Sequence, residues 1–259
     1  MSLDPIALAT ALINCPSVTP ASGAVFDLLE EALRPLGFTV HRWVMGEAPD
    51  GPTENMVALR GQDGPHFGFA GHLDVVPAGD GWAGDPFAAV VEDGRLVGRG
   101  ANDMKSAIAA FVAAIPPEQP SGTLSLLITG DEEGYATFGT PRIIDWLNER
   151  GIKPDMILIG EPTSVDRLGD TIKIGRRGSV NMWIDVPGTQ GHVAYPHRAD
   201  NPVPKLARVV DALSALHLDD GTDAFPPSNL EFTAISTPTS ASNVIPASAT
   251  AQLNIRFNN

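Results

Sequence analysis

Apolar residues recur at helical spacing over two early stretches, 4–14 and 23–35. In the second, Val25, Leu28, Leu29, Ala32 and Leu33 fall on one face, and Gly37 closes the segment. Asp4 ahead of Pro5 has the form of an N-cap followed by a proline at the first helical position. The period then changes. Residues 38–44, 56–60 and 67–70 are short apolar or alternating runs bounded by Gly, Pro and Asp, and they read as strands. Residues 104–115 form a strongly apolar helix stopped by Pro116 and Pro117. Residues 124–129 and 156–159 read as buried strands, with a helix over 141–150 between them that ends at Gly151. Strands alternating with helices predict an α/β fold, a mixed sheet covered on both faces.

After Ile174 the pattern shifts to longer alternating strands, at 180–186, 230–236 and 251–257, with one helix at 202–216. This predicts a smaller α+β domain. The expected division is 1–176 for the larger domain and 177–259 for the smaller. The sequence stops at Asn259 directly after a strand, so the expected fold is an interrupted one.

Charge narrows the function classes. Thirty-one acidic residues against 17 basic ones give a formal net charge of −14. Such a surface repels phosphate backbones and excludes nucleic acid as a partner. No run approaches the ~18 apolar residues of a membrane span. The N-terminus carries Asp4 and no basic leader, so it does not read as a signal peptide, and a cytoplasmic enzyme is expected. Cys15 is the only cysteine, which leaves neither an intramolecular disulfide nor a Cys/His metal motif.

Four short segments carry candidate chemistry. His72 and Asp74 follow the apolar run FGFAG; two residues apart on extended chain, they point the same way. The pair suits a metal-bound imidazole oriented by a carboxylate, and equally a surface histidine beside a turn. Asp103 precedes a helix, where capping is the simpler reading. Glu132 and Glu133 belong to three adjacent carboxylates after the strand LSLLI. These suit either a solvated turn, or a metal ligand next to a general base. Glu161 follows the apolar strand DMILI, where an unpaired carboxylate would be costly. Individually each is modest, yet four carboxylate or imidazole groups, His72, Glu132, Glu133 and Glu161, fall at the ends of strand-like runs. An oxygen- and nitrogen-rich set without thiolate suits zinc, cobalt or manganese. The number of carboxylates implies more than one ion, held roughly 3.5–4 Å apart as in two-metal sites.

The segments GHLDVVPAGD, GRGANDMK, TGDEEG and GEPTS, in this order, resemble the M20 metallopeptidase and deacylase family. The resemblance covers essentially the whole chain. It implies a zinc-exopeptidase-like mixed-sheet catalytic domain with a smaller lid and dimerisation domain. It further implies two zinc ions per full-length subunit, with cobalt an alternative. His72, Asp103 and Glu161 would hold the first ion, and Asp103, with a cis peptide to Met104, would bridge it to a second held by Glu133. Asp74 would orient His72, and Glu132 would be the general base. His192 would stabilise the oxyanion, often from a partner subunit. Arg176, Tyr195, Asn243 and Arg256 match substrate-anchoring positions. Asn102 departs from the alanine common in the family. The histidine completing the second metal site is expected beyond Asn259.

GDTIKIGRRGSVNMWIDVPGTQGHVAYPHRADNP and SNVIPASATAQLNIRF are similar to members that act on a succinylated substrate. The expected reaction is hydrolysis of N-succinyl-LL-2,6-diaminopimelate to succinate and LL-2,6-diaminopimelate, within lysine biosynthesis. Two alternatives stay open: another deacylase of the family, such as one acting on acetylornithine, and a catalytically incompetent fragment or dimerisation module.

Overall fold

The computed structural model describes residues 3–118 and 121–258. It divides into two compact units, one ending at Thr163 and one beginning at Ser164. The first contains α1 (Pro5–Ile13), α2 (Ala24–Leu33), β1 (Thr39–Met45), β2 (Thr53–Gly61), β3 (His66–His72), β4 (Val90–Glu92), β5 (Arg95–Val97), α3 (Ser106–Ala114), β6 (Thr123–Thr129), α4 (Thr140–Glu149) and β7 (Met156–Ile159). The second contains β8 (Gly178–Pro187), β9 (Gly191–His192), α5 (Pro202–Ser214), β10 (Asn229–Ser236), β11 (Val244–Ile245) and β12 (Ser248–Phe257).

In the first unit five strands form one mixed sheet in the order β1-β2-β6-β3-β7. β2 runs antiparallel to β1 and β6, whereas β3 runs parallel to β6 and β7. Strand side chains alternate between faces, and the sheet uses both. Met56, Phe69, Leu126 and Ile128 join Leu12, Phe26, Leu29 and Ile108 of the helices in one core. Val57 and Leu127, on the opposite face, pack against Ile143 and Leu147 of α4. The fold is therefore a mixed α/β sheet with helices on both faces. Asp4 caps α1 as its sequence suggests, accepting the N–H of Ile6.

Three expectations are corrected. The run at 156–159 is a strand, but its side chains are exposed rather than buried, Met156 by 65% and Ile159 by 58%. Among the described residues β7 sits at the sheet edge, with β3 as its one strand neighbour. The helix expected from residue 104 begins at Ser106; Ala101–Lys105 form a preceding wide turn in which Asp103 and Met104 leave helical geometry. A cis peptide joins Asp103 to Met104, as the resemblance implied. Asp103 makes no capping bond, and its carboxylate turns to His72 instead. Apolar periodicity extends a helix into such a turn because Met104 is buried like a helical core residue. The β4–β5 hairpin and the β9–β11 pair are too short to register as patterns.

The second unit is a three-stranded antiparallel sheet, β10-β12-β8, with α5 on one face. Leu206 packs there against Ala249 and Ala251. The division after Thr163 precedes the one expected at 176. Alternation starts only with β8, so the irregular residues 164–176 carry no pattern that would join them to the second unit.

Candidate active site

β6, β3 and β7 are parallel neighbours, so their C-terminal ends open on the same edge of the sheet. Their register sets His72 beside Thr129 and Ala70 beside Ile159. The segments leaving these strands carry Asp74, Glu132, Glu133 and Glu161. Ligand sites in open α/β sheets gather at this edge. Asp103 arrives from the turn before α3, which packs beneath: a Cβ at Gly71 or Gly160 would meet the Met104 methyl at 2.6 or 2.7 Å. Glycine at those two positions lets the turn approach the sheet.

His72 is the centre. Its side chain is 1% exposed. Nδ1 lies 2.9 Å from the Asp74 carbonyl oxygen, a pure acceptor, so the proton belongs on Nδ1. Nε2 then faces carboxylates: Asp103 Oδ1 at 3.0 Å, Glu161 Oε1 at 3.6 Å and Glu132 Oε2 at 4.0 Å. The Asp74 side chain is only 3.5 Å from Nδ1, but its oxygens accept the backbone N–H of Glu132 at 3.2 Å and Glu133 at 2.9 Å. Asp74 thus orients the imidazole partly through its own backbone, while its carboxylate holds the acidic turn.

The electrostatics are those of negative charge in excess. Burial opposes protonation of His72, but the Asp74 carboxylate and carbonyl and the charge of Glu161 outweigh it and hold the pKa at about 10. Burial, then Asp103 and Glu132, push Glu161 up to about 7. Burial and the same neighbours raise Glu133. His72, Glu132 and Glu161 present ligand atoms within 4.8 Å of one another, and so do His72, Asp103 and Glu133. One imidazole nitrogen facing several carboxylates is a hard, oxygen-rich donor set that a divalent cation would neutralise. The residues present fit such an ion.

All five residues expected at the metal centre, with Asp74, are brought together in the first unit. His192, Tyr195 and Asn243 are neighbours in the second: His192 Nδ1 accepts the N–H of Ala194 at 3.1 Å, its ring lies 6.0 Å from that of Tyr195, and the Asn243 carbonyl accepts the N–H of Val193. Arg256 stands on β12 opposite Asn229 and Ser179, and Arg176 is exposed ahead of β8. Two further side chains near the centre have partners that the sequence does not indicate. Lys105 is fully buried and donates to the carbonyls of Leu12 and Cys15 at the end of α1. Asp131, first of the three acidic neighbours, is 2% exposed. Only the tertiary fold separates it from the two glutamates that follow.

Residues 68–252 match the model of peptidase family M20/M25/M40. The succinyl-diaminopimelate desuccinylase of Sphingopyxis alaskensis is 63% identical over 99% of this chain and 69% of its own length. The protein of that name from Rhizorhabdus wittichii is 62% identical over 99% of this chain and 68% of its length. Among solved structures, a Staphylococcus aureus tripeptidase is similar with a TM-score of 0.70 at 16% identity, over 100% of this chain and 68% of its own. A dinuclear metal-binding peptidase of Bacillus subtilis gives 0.65 at 15%, over 98% and 64%.

Proposed function

This chain belongs to peptidase family M20/M25/M40, and from that premise we propose that it hydrolyses N-succinyl-LL-2,6-diaminopimelate to succinate and LL-2,6-diaminopimelate. One observation carries the reading: a chain 63% identical to a desuccinylase gathers one buried imidazole and four carboxylates at one sheet edge. The enzyme is a metal-dependent amidohydrolase. His72, Asp103, Glu133 and Glu161 would hold the ions, zinc or cobalt and two per full-length subunit. When bound, such ions supply a Lewis acid that polarises the amide carbonyl.

The protein's own groups do the rest. Glu132 takes a proton from the attacking water at its carboxylate and returns it to the nitrogen of the departing amine. The new C–O bond forms first, at the expense of the carbonyl π bond, and the C–N bond breaks as its nitrogen takes up the proton, giving succinate and the free amino group. Asp74 keeps the proton of His72 on Nδ1 and the Glu132 backbone in place. His192 is assigned to the developing oxyanion. Arg176, Tyr195, Asn243 and Arg256 are assigned to the substrate carboxylates, which a guanidinium recognises in bidentate fashion. These local cations and donors offset a net charge of −14 that otherwise repels an anionic substrate. The reading includes a cytoplasmic homodimer joined through the second unit. Among the described residues no helix is long and apolar enough to cross a membrane.

The test is release of succinate from N-succinyl-LL-2,6-diaminopimelate in the presence of Zn2+ or Co2+, set beside release of acetate from N-acetylornithine. Preference for the succinyl amide is expected. Preference for acetylornithine would move the chain to another deacylase class. Metal binding with no turnover of either would favour an incompetent fragment.

A further inference from the structure

Glu132 and Glu133 lie on the loop between β6 and α4, and Asp131 opens that loop. We propose that Asp131 is a positioning residue: it closes the neck of the loop and so holds the Glu132–Glu133 turn against Asp74. The inference rests on the assignment of those two glutamates to the metal centre.

Its bonds cross the neck. One Asp131 oxygen accepts from the Thr129 hydroxyl at 3.1 Å, and the other accepts the backbone N–H of Phe138 at 2.8 Å. From the other side, the side-chain amide of Asn55 donates to the Phe138 carbonyl at 2.7 Å. Asn55 is fully buried and pairs with Thr129 in the β2–β6 ladder. The Phe138 backbone is therefore held at both its N–H and its carbonyl, by Asp131 on one side and by Asn55 of the sheet on the other. The return of the chain is equally tight. A Cβ at Gly139 would lie 1.7 Å from Asp131 Oδ1, and one at Gly46 would lie 2.4 Å from the Phe138 ring.

A buried carboxylate is expensive unless its oxygens are satisfied, and here both are satisfied by groups at the two ends of one loop. Pinning both ends removes most of the conformational freedom the loop would otherwise keep. The two N–H bonds to Asp74 then need fix only the turn itself. Asp131 belongs to neither candidate ligand group; it acts through the backbone that carries the two glutamates.

The experiment compares backbone amide exchange at Glu132 and Glu133 in the metal-free 259-residue chain, then titrates Co2+ and follows its visible absorption. Asp131→Ala is expected to speed exchange at those two amides by about tenfold, the loss of roughly one net hydrogen bond, while β2 and β6 stay protected. Co2+ affinity should fall by about tenfold as well. Asp131→Asn should rescue both, because its amide oxygen can accept from Phe138 and its amino group can donate to the Thr129 hydroxyl. Should the alanine variant not fold, Asp131→Ser, which keeps a polar group at the site but is too short to span from Thr129 to Phe138, should give the same two changes. Unchanged exchange at Glu132 and Glu133 in a folded variant, or an increase shared evenly with β2 and β6, overturns the proposal. If the parent chain gives no Co2+ absorption, the metal reading fails, and exchange alone decides on Asp131.

Discussion

The carboxylate of Asp74 accepts the backbone N–H of Glu133 at 2.9 Å, and it takes the N–H of Glu132 at the same time. One buried side chain thereby ties the segment after β3 to the segment after β6. Asp74→Asn presents an amino group to one of these two donors. Turnover should fall on the order of 10–100-fold, the usual effect of losing a group that orients ligands. The fold should lose ~1–3 kcal/mol for the stranded N–H. Steady-state kinetics and urea unfolding of the same variant check both.

Glu132→Gln keeps the shape and removes the base. Turnover should drop by ~10²–10⁴-fold. Co2+ affinity should stay near that of the parent, which spectroscopic titration measures. Full residual activity would remove Glu132 from its role.

Divalent metal should stabilise the chain by relieving the crowding of carboxylates around His72. At a hundredfold excess over the dissociation constant the gain is about 2.7 kcal/mol. It should appear as a higher unfolding midpoint, reversed by a chelator. In His72→Ala, which removes the residue common to both ligand groups, Zn2+ should leave the midpoint unmoved.

Lys105→Met keeps the aliphatic stem and deletes the ammonium that donates to Leu12 and Cys15. The Cys15 carbonyl then loses the ammonium, while that of Leu12 still accepts the N–H of Cys15 at 3.3 Å, and the loss should be ~1–3 kcal/mol by denaturant titration. Arginine should not rescue it, since the larger head does not fit a fully closed site.

His66 gives a pH test away from the metal centre. Burial lowers its pKa below the ordinary value of 6.5, although Asp155 pulls the other way. Neutral His66, bonded to the Ser125 hydroxyl, is the form the fold prefers. Its contribution is therefore complete above pH 6.5 and fades as pH falls through the lowered pKa. Unfolding midpoints between pH 7.5 and 5 should decline less steeply in His66→Gln than in the parent.

Much of this was legible in the sequence because the signals were local. An apolar, strand-like run leading into a carboxylate or imidazole occurs three times, at His72, Glu132–Glu133 and Glu161, and the parallel register turns three local signals into one site. Asp103 was ambiguous, because a helix N-cap and a residue on a turn before a helix look alike in sequence. Asp131 is indistinguishable in the sequence from the two glutamates that follow it, and Lys105 carries no local signal. Their roles come from partners far away in the chain, Phe138 having no polar side chain to announce it and Leu12 and Cys15 offering only backbone carbonyls. The exposure of β7 was equally hidden, since an apolar run does not say whether anything covers it.

The strand order has a consequence for the growing chain. β3, which ends in His72, pairs with β6 and β7, both of which follow it, and not with β2, which precedes it. During synthesis the β1–β2 hairpin can form early, but β3 must wait with both edges open until residue 129, and then 159, has been made. Parallel pairs joined through long crossovers close slowly. The strand that bears the central imidazole is thus the one exposed longest on the ribosome, and the one where a folding chaperone would have most to shield.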